Sequence, residues 1–343
     1  MTALWVCMLD CFQIWQLIIL MQMEVIVKIL GLSCGRKMGN SEVLVREALM
    51  GARELGAETE IIRLFDMNIK PCIGCEKCVY DRFHGGQGDC IIKNDDIPFF
   101  MDRLMESDGV IVGAPCYSSR PPGYLLMIQD RFLGFPVRYR QQLAKKQLAK
   151  GVISVGGSDM VGVMLPFLNR CPGGNVGKLV DQMQVIWTSR PDQIVLNEEA
   201  VARAKKLGQN VAQAAELPAE EMKYKGDSYR WLDDFYRSDF DSTSQMSPFY
   251  ETCPNCHSDL VRIRGKNVEC PMCYMKGSIA LNNGTPVFVC DPVNRPSPYA
   301  GPAGRIRHDD KGIRLHNELV EAKKPEINQK MKKYMADIAV TKP

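Results

Sequence analysis

Glu24–Leu32 reads Glu-Val-Ile-Val-Lys-Ile-Leu-Gly-Leu and runs straight into Ser33-Cys-Gly-Arg-Lys-Met-Gly-Asn-Ser41. A β-branched, nearly uninterrupted apolar run is how a strand buried on both faces reads, as in a parallel sheet. A helix begins directly after the loop. Asn40 or Ser41 can cap it, Leu44, Ala48, Ala52 and Leu55 line one face, and Gly56 closes it. Strand, polar glycine-containing loop and helix N-terminus together form a phosphate cradle, because free backbone N–H groups and the positive end of the helix dipole converge there. Arg36 and Lys37 add charge, and Ser33, Asn40 and Ser41 add neutral donors. The loop fits neither the Walker A pattern nor G-x-G-x-x-G, so a solvated turn without a ligand is the alternative.

The alternation continues outward from this unit. Strands are predicted over Thr59–Leu64, Gly109–Ala114, Gly151–Val155 and Met183–Thr188, and helices over Asp95–Met105, Gly123–Phe132 and Glu198–Glu216. A basic stretch covers Arg138–Lys150. Strands alternating with helices imply an α/β fold, a doubly wound parallel sheet of five strands. Ligands of such sheets bind beyond the carboxyl ends of the strands. Pro115-Cys-Tyr-Ser-Ser119 and Gly156-Gly-Ser158 follow the third and fourth strands and supply the other walls. Their Ser, Gly and Tyr suit holding a cofactor better than acid–base chemistry.

Directly after the second strand comes Pro71-Cys-Ile-Gly-Cys-Glu-Lys-Cys78, with Cys90 after eleven more residues, a gap whose loop must fold back to deliver a fourth thiolate. Cys72, Cys75 and Cys78 at two-residue intervals with a more distant fourth thiol is the spacing of a [4Fe–4S] cluster. Zinc sites more often use two separated pairs, and a disulfide-rich loop or free surface cysteines are the plainer alternatives. A second group, Cys253, Cys256, Cys270 and Cys273, has that paired form, with thirteen residues between the pairs that turn at Gly265. Two knuckles on a short hairpin predict a zinc ribbon, and four thiolates also accept a single iron as in rubredoxin. Of the 14 cysteines, Cys7, Cys11, Cys34, Cys116, Cys171 and Cys290 show no pairing pattern. Cys290 reads as incidental, and Cys116 reads equally as a small core residue or a redox thiol. Metal thiolates need reduced cysteines, which predicts a cytoplasmic protein.

The chain from Met23 to Glu216 resembles the iron–sulfur flavoprotein branch of the NADPH-dependent FMN reductase, or multimeric flavodoxin, family. The residues carrying the resemblance are the Ser33–Ser41 loop, Lys70–Cys78, Gly113-Ala-Pro-Cys-Tyr117, Ile153-Ser-Val-Gly-Gly157 and Ala200-Val-Ala-Arg-Ala-Lys205. It implies a flavodoxin-like fold that binds FMN and a [4Fe–4S] cluster exchanging electrons with it, in dimers or tetramers. Ser33, Lys37, Asn40 and Ser41, with Arg36, would then hold the phosphate. Pro115, Tyr117, Ser118 and Ser119 would border the flavin ring from one side, and Gly156 and Gly157 from another. Two departures stand out. Cys34-Gly-Arg-Lys-Met38 lacks a serine and a proline of the family loop, and Ser158-Asp-Met-Val-Gly162 replaces its Arg and Gly-Gly-Gln-Glu run.

The chain has 343 residues, 45% of them apolar, and a formal charge of +3 from 43 basic and 40 acidic side chains. That balance gives no reason to expect a nucleic-acid partner. Met1–Gln22 is apolar but carries Asp10 and no Lys or Arg, unlike a secretory signal, and an early start codon with the native start at Met21 or Met23 is the expectation. Beyond the domain at 23–216, residues 217–252 read as a linker, 253–290 as the zinc-ribbon-like module, and 291–343 as an irregular segment with a charged terminal helix. His84, His308 and His316 show no partner pattern and read as surface residues. The function expected is electron transfer between cluster and FMN, to or from a ferredoxin-like protein or a small molecule. The alternatives are an NAD(P)H-dependent flavin or quinone reductase with structural cysteines, and a non-catalytic adaptor binding two zincs.

Overall fold

The computed structural model describes residues 26–226, apart from 146, 159–160, 162 and 173–175, together with 249–250, 260–271, 275–289 and 314–343. The apolar run seen in the sequence forms β1 (Lys28–Ser33), followed by α1 (Asn40–Arg53) and β2 (Glu58–Arg63). A short helix α2 (Lys77–Phe83) and α3 (Ile97–Glu106) lead to β3 (Gly109–Pro115). Next come α4 (Gly123–Arg131), α5 (Val137–Lys145), β4 (Leu148–Val155), α6 (Met164–Leu168), β5 (Gly177–Val185) and α7 (Glu198–Ala215).

The five strands are parallel, in the order β2-β1-β3-β4-β5. That is the flavodoxin-like order, with its switch point between β1 and β3. Ile29, Ile61, Ile111 and Ile153 face α1 and α7, and Leu30, Ile62, Val112 and Val152 face the cluster built on α3 and α4. Alternate residues of each strand thus feed opposite cores, as the period of two requires. Helices α1 and α7 cross closely: a Cβ at Gly208 would lie 1.7 Å from the Ala48 carbonyl oxygen.

Four boundaries differ from the sequence expectation. The basic stretch contains the helix Val137–Lys145 and the first three residues of β4, including Lys150, which is buried. Strand β5 starts at Gly177, six residues early, because polar positions such as Asp181 and Gln182 hide its period. The first ten residues of the expected linker return along β5, where Lys225 N–H donates to the Val180 carbonyl and Met222 joins the core. Phe249 and Tyr250 form a strand rather than linker.

The charged terminal helix is two helices, α8 (Leu315–Ala322) and α9 (Lys324–Ala336), with Pro325 at the start of the second. They are part of the core, not an appendage. Ile327, Met331, Tyr334 and Ile338 join the cluster formed with α1 and α7. Arg46 caps the end of α9 through the carbonyls of Tyr334 and Ile338, at 3.2 and 2.7 Å, and Thr341 N–H donates to Ile61 on the edge strand.

The C-terminal module is an antiparallel sheet ordered β6-β10-β9-β8-β7, with β6 Phe249–Tyr250, β7 Arg262–Arg264, β8 Asn267–Glu269, β9 Lys276–Asn282 and β10 Thr285–Val289. The predicted hairpin turn is there, with Gly265 at φ 59°. Cys270 is buried beside Val268 and Met275, while Cys253, Cys256 and Cys273 lie outside the described residues, as do Cys290, His308 and residues 1–22. Among the described residues no helix is long and apolar enough to cross a membrane.

Candidate functional site

The loops after β1, β3, β4 and β5 lie side by side at the carboxyl edge of the sheet. Backbone bonds join them: Cys34 N–H to Gly113, Cys116 N–H to Val155, Gly156 N–H to Val185, and Thr188 N–H to Gly156, at 2.7 to 2.9 Å. Helix α1 begins at Gly39 without a side-chain cap. Its first-turn N–H groups lie next to the exposed side chains of Arg36 and Lys37, an arrangement that suits an anion. A Cβ at Gly35 would come within 2.8 Å of Ser41 Oγ and 3.1 Å of the Pro115 ring, so the first and third loops meet there.

The predicted phosphate residues divide into two groups. Arg36, Lys37 and Ser41 surround the loop. Asn40 is committed to the fold, its amide donating to the carbonyls of Thr188 and Arg190 and accepting from Ile194 N–H. Ser33 is fully buried, and its hydroxyl faces Glu42 at 3.5 Å. Glu42 is a residue that sequence reading missed. A buried carboxylate in the first turn would repel a phosphate, but Arg46 at 3.0 Å and Arg63 at 2.9 Å neutralise it. It also accepts from Met38 N–H at 2.9 Å, which fixes the loop. Arg36 in turn faces Asp192, whose carboxyl is raised by burial and drawn back by that guanidinium.

On the third loop Tyr117 and Arg120 exchange backbone bonds around Ser118 and Ser119, which have φ 50° and 65°. Two consecutive left-handed residues make a type I′ turn, usually left to Asn and Gly. Strain of this kind concentrates where a ligand is clamped. Tyr117 is exposed beside this turn. Cys116 is half-buried and its thiol is pushed up to about 12 by burial, so it stays protonated at neutral pH. Of its two sequence readings, the inert thiol is the one the environment favours.

Gly157 approaches Ser189, whose hydroxyl lies 2.8 Å from His316 Nδ1. The His316 ring meets Trp187 edge-on, and burial lowers its pKa. His316 is thus half-buried at the rim of the site, not a free surface residue, and only the docking of α8 brings it there. His84 stays exposed and stacks on Tyr80.

The cysteine loop answers the question posed by the gap before Cys90. Helix α2 turns after Phe83, and Asp81 gathers the chain back, accepting from Gly88 N–H at 2.8 Å. Val137 N–H holds the Gln87 carbonyl at 2.8 Å, and Arg138 pairs with Asp89. Cys90 thereby joins Cys72, Cys75 and Cys78 on the walls of one shallow recess, with Arg131, Leu133 and Gly134 beside them. All four thiols are free. Burial raises the Cys78 thiol, and the Cys90 and Cys72 sulfurs add to this. Among the described residues no three Cys, His, Asp or Glu side chains converge tightly enough for a single metal ion.

Three observations fit this recess to a thiolate-held cluster. The donor set is four cysteines. A Cβ on Gly134 would sit against Cys78 Sγ at 3.4 Å and Cys90 Cβ at 3.3 Å, so the glycine lets the wall lie close to both cysteines. Arg131, another residue missed from sequence, has a buried Nε–H without an acceptor.

Residues 27–168 match the NADPH-dependent FMN reductase family. The chain is similar to that family over this segment. The match supports a flavin-dependent oxidoreductase with FMN as cofactor. Among family relatives, an iron–sulfur flavoprotein of Methanocaldococcus jannaschii is 38% identical over 133 residues, 38% of this chain and 63% of that protein. One from Methanosarcina thermophila is 32% identical over 38% of this chain and 64% of its own length. A flavone synthase of Aspergillus candidus is 29% identical over 290 residues, 77% of this chain and 82% of that one. A solved flavone reductase structure, 23% identical, covers 92% of this chain and 100% of its own at a TM-score of 0.47.

Proposed function

We propose that this protein is an iron–sulfur flavoprotein in which Cys72, Cys75, Cys78 and Cys90 hold a [4Fe–4S] cluster that exchanges electrons with FMN. The observation that carries this reading is the gathering of four free cysteines on one recess, after the strand adjacent to the FMN-binding loops. The names of the archaeal relatives support it. When bound, the two cofactors supply one- and two-electron exchange, and the protein supplies binding, orientation and potential.

Each part of the chain then has a task. The α1 N-terminus with Arg36, Lys37 and Ser41 holds the FMN phosphate, and Asn40 keeps the β5 loop closed over it. Pro115, Tyr117, Ser118 and Ser119 border one side of the ring, while Gly156 and Gly157 leave room on another. Electrons come from a ferredoxin-like protein or NAD(P)H. A small aromatic acceptor is favoured at the other end, because the flavone synthase match spans more of this chain than the flavodoxin-like part alone. In the C-terminal module Cys253, Cys256, Cys270 and Cys273 hold structural zinc or a single iron. A second copy of the chain covers the apolar residues around the cluster loop, Ile73, Tyr80 and Phe83, which are 65%, 66% and 79% exposed.

Anaerobic purification with visible spectroscopy, metal and sulfide assay tests the proposal. About four irons and four sulfides per chain beside FMN are expected. FMN without acid-labile sulfide would instead establish a reductase with structural cysteines. Zinc in both cysteine groups and no FMN would establish the adaptor.

A further inference from the structure

Arg131 ends α4 and is 2% exposed. Its Nη1 donates to Asp95 and, at 2.8 Å, to the Lys70 carbonyl, and its Nη2 reaches towards the Ile92 carbonyl at 3.4 Å. Lys70 stands two residues before Cys72 and Ile92 two residues after Cys90. One side chain therefore ties both ends of the cysteine loop to α4. Asp95 is equally buried and balances the charge.

One donor remains over. The Arg131 Nε–H is buried and has no acceptor in the protein. An unsatisfied buried donor is costly, more so when the group is charged, and native structures rarely leave one without a reason. Arg131 lines the recess of the four cysteines. It also lines a second recess that shares Cys90, beside Asp89, Lys93 and Tyr139, where a water could accept the same proton.

We infer that Arg131 donates its Nε–H to a sulfur of the cluster and so sets the cluster's reduction potential. This rests on the cluster reading proposed above. A cluster accepts one electron and its sulfurs become more negative, so a donor aimed at them stabilises the reduced form. Asp95 has a supporting part, since it holds the guanidinium plane while Nε is left free. No proton is transferred in this arrangement, and the bond only strengthens as charge builds on the sulfur.

The test uses the full chain purified anaerobically. Arg131→Lys keeps a cation beside Asp95 and removes the Nε–H. Iron, sulfide and FMN content should equal those of the wild type. The ratio of reduced to oxidised cluster at a fixed potential should fall about tenfold, a 59 mV drop for a one-electron couple. The FMN couple should not move, which separates this effect from general loosening. An intact cluster with unchanged potential in Arg131→Lys would overturn the inference and leave the cluster reading standing. Wild-type protein without acid-labile sulfide would remove both.

Should the variant fail to assemble, the wild type itself decides. Protein labelled with ¹⁵N-arginine should show hyperfine coupling of a guanidinium nitrogen to the reduced cluster, retained in Arg140→Lys and in Arg82→Lys, the other arginines near Cys78. A labelled wild-type cluster without such coupling would place the Nε–H on water in the second recess and overturn the inference.

Discussion

Lys150 shows how much a single side chain can cost this fold. It sits on a central strand with 1% exposure, and its Nζ donates to the Asn169 carbonyl at 2.5 Å. Burial lowers its pKa to about 8, below the ordinary lysine value. The unfolded chain therefore binds the extra proton between pH 8 and the ordinary lysine range, and stability rises with pH across that window. Below pH 8 the folded protein carries the buried charge and its destabilisation is complete. Lys150→Met should remove that slope, and the difference from wild type, read from urea unfolding at pH 7 and above pH 10, should shrink at the higher pH. Asn40 acts in the opposite sense. Asn40→Ala orphans the three groups it serves on the β5 loop and should cost about 1–3 kcal/mol, with weaker FMN retention on gel filtration. At the cluster, Cys75→Ser should bleach the iron–sulfur absorbance and leave FMN bound. Colour surviving that change would remove Cys75 from the ligand set.

At the scale of elements, the parallel sheet was legible because its strands are apolar runs separated by turn residues, and four of the five lie within a few residues of their predicted places. Strand β5 was blurred by Asp181, which is buried but paired with Arg203 and Asn210. Pairing of that kind leaves no periodic trace. The loops expected to carry ligands announced themselves through composition. Arg131, Asp95, Glu42 and His316 did not, since each matters only through partners distant in sequence. Helix α9 hides its role for a different reason. Ile327, Met331, Tyr334 and Ile338 recur at spacings of four, three and four, a plain amphipathic stripe, but the surrounding lysines and glutamates make the solvent face dominate its composition. Met331→Ala should cost about 2–4 kcal/mol in unfolding free energy. An effect below about 0.5 kcal/mol, the usual range for surface positions, would show that α9 merely rests on α1.

At the scale of the whole molecule, the exposed apolar residues beside the cysteine loop make the proposed assembly testable. Phe83→Glu should lower the mass measured by light scattering to that of one chain, while FMN content stays unchanged. An unaltered mass would place the subunit contact elsewhere. The docking of α8 and α9 has a consequence of another kind, in the order of synthesis. The Arg46–Ile338 bond joins residues 292 positions apart. On the ribosome the flavodoxin-like sheet is complete by Ala215, yet one flank of α1 and α7 stays bare until more than a hundred further residues have been made. At about 5–20 residues per second this leaves the apolar flank uncovered for several seconds or more. A nascent chain in that interval offers the side of α1 around Arg46 and Glu47 to any other unfinished polypeptide. Expression of this protein should therefore depend on chaperone capacity during elongation more than the stability of the finished fold would suggest.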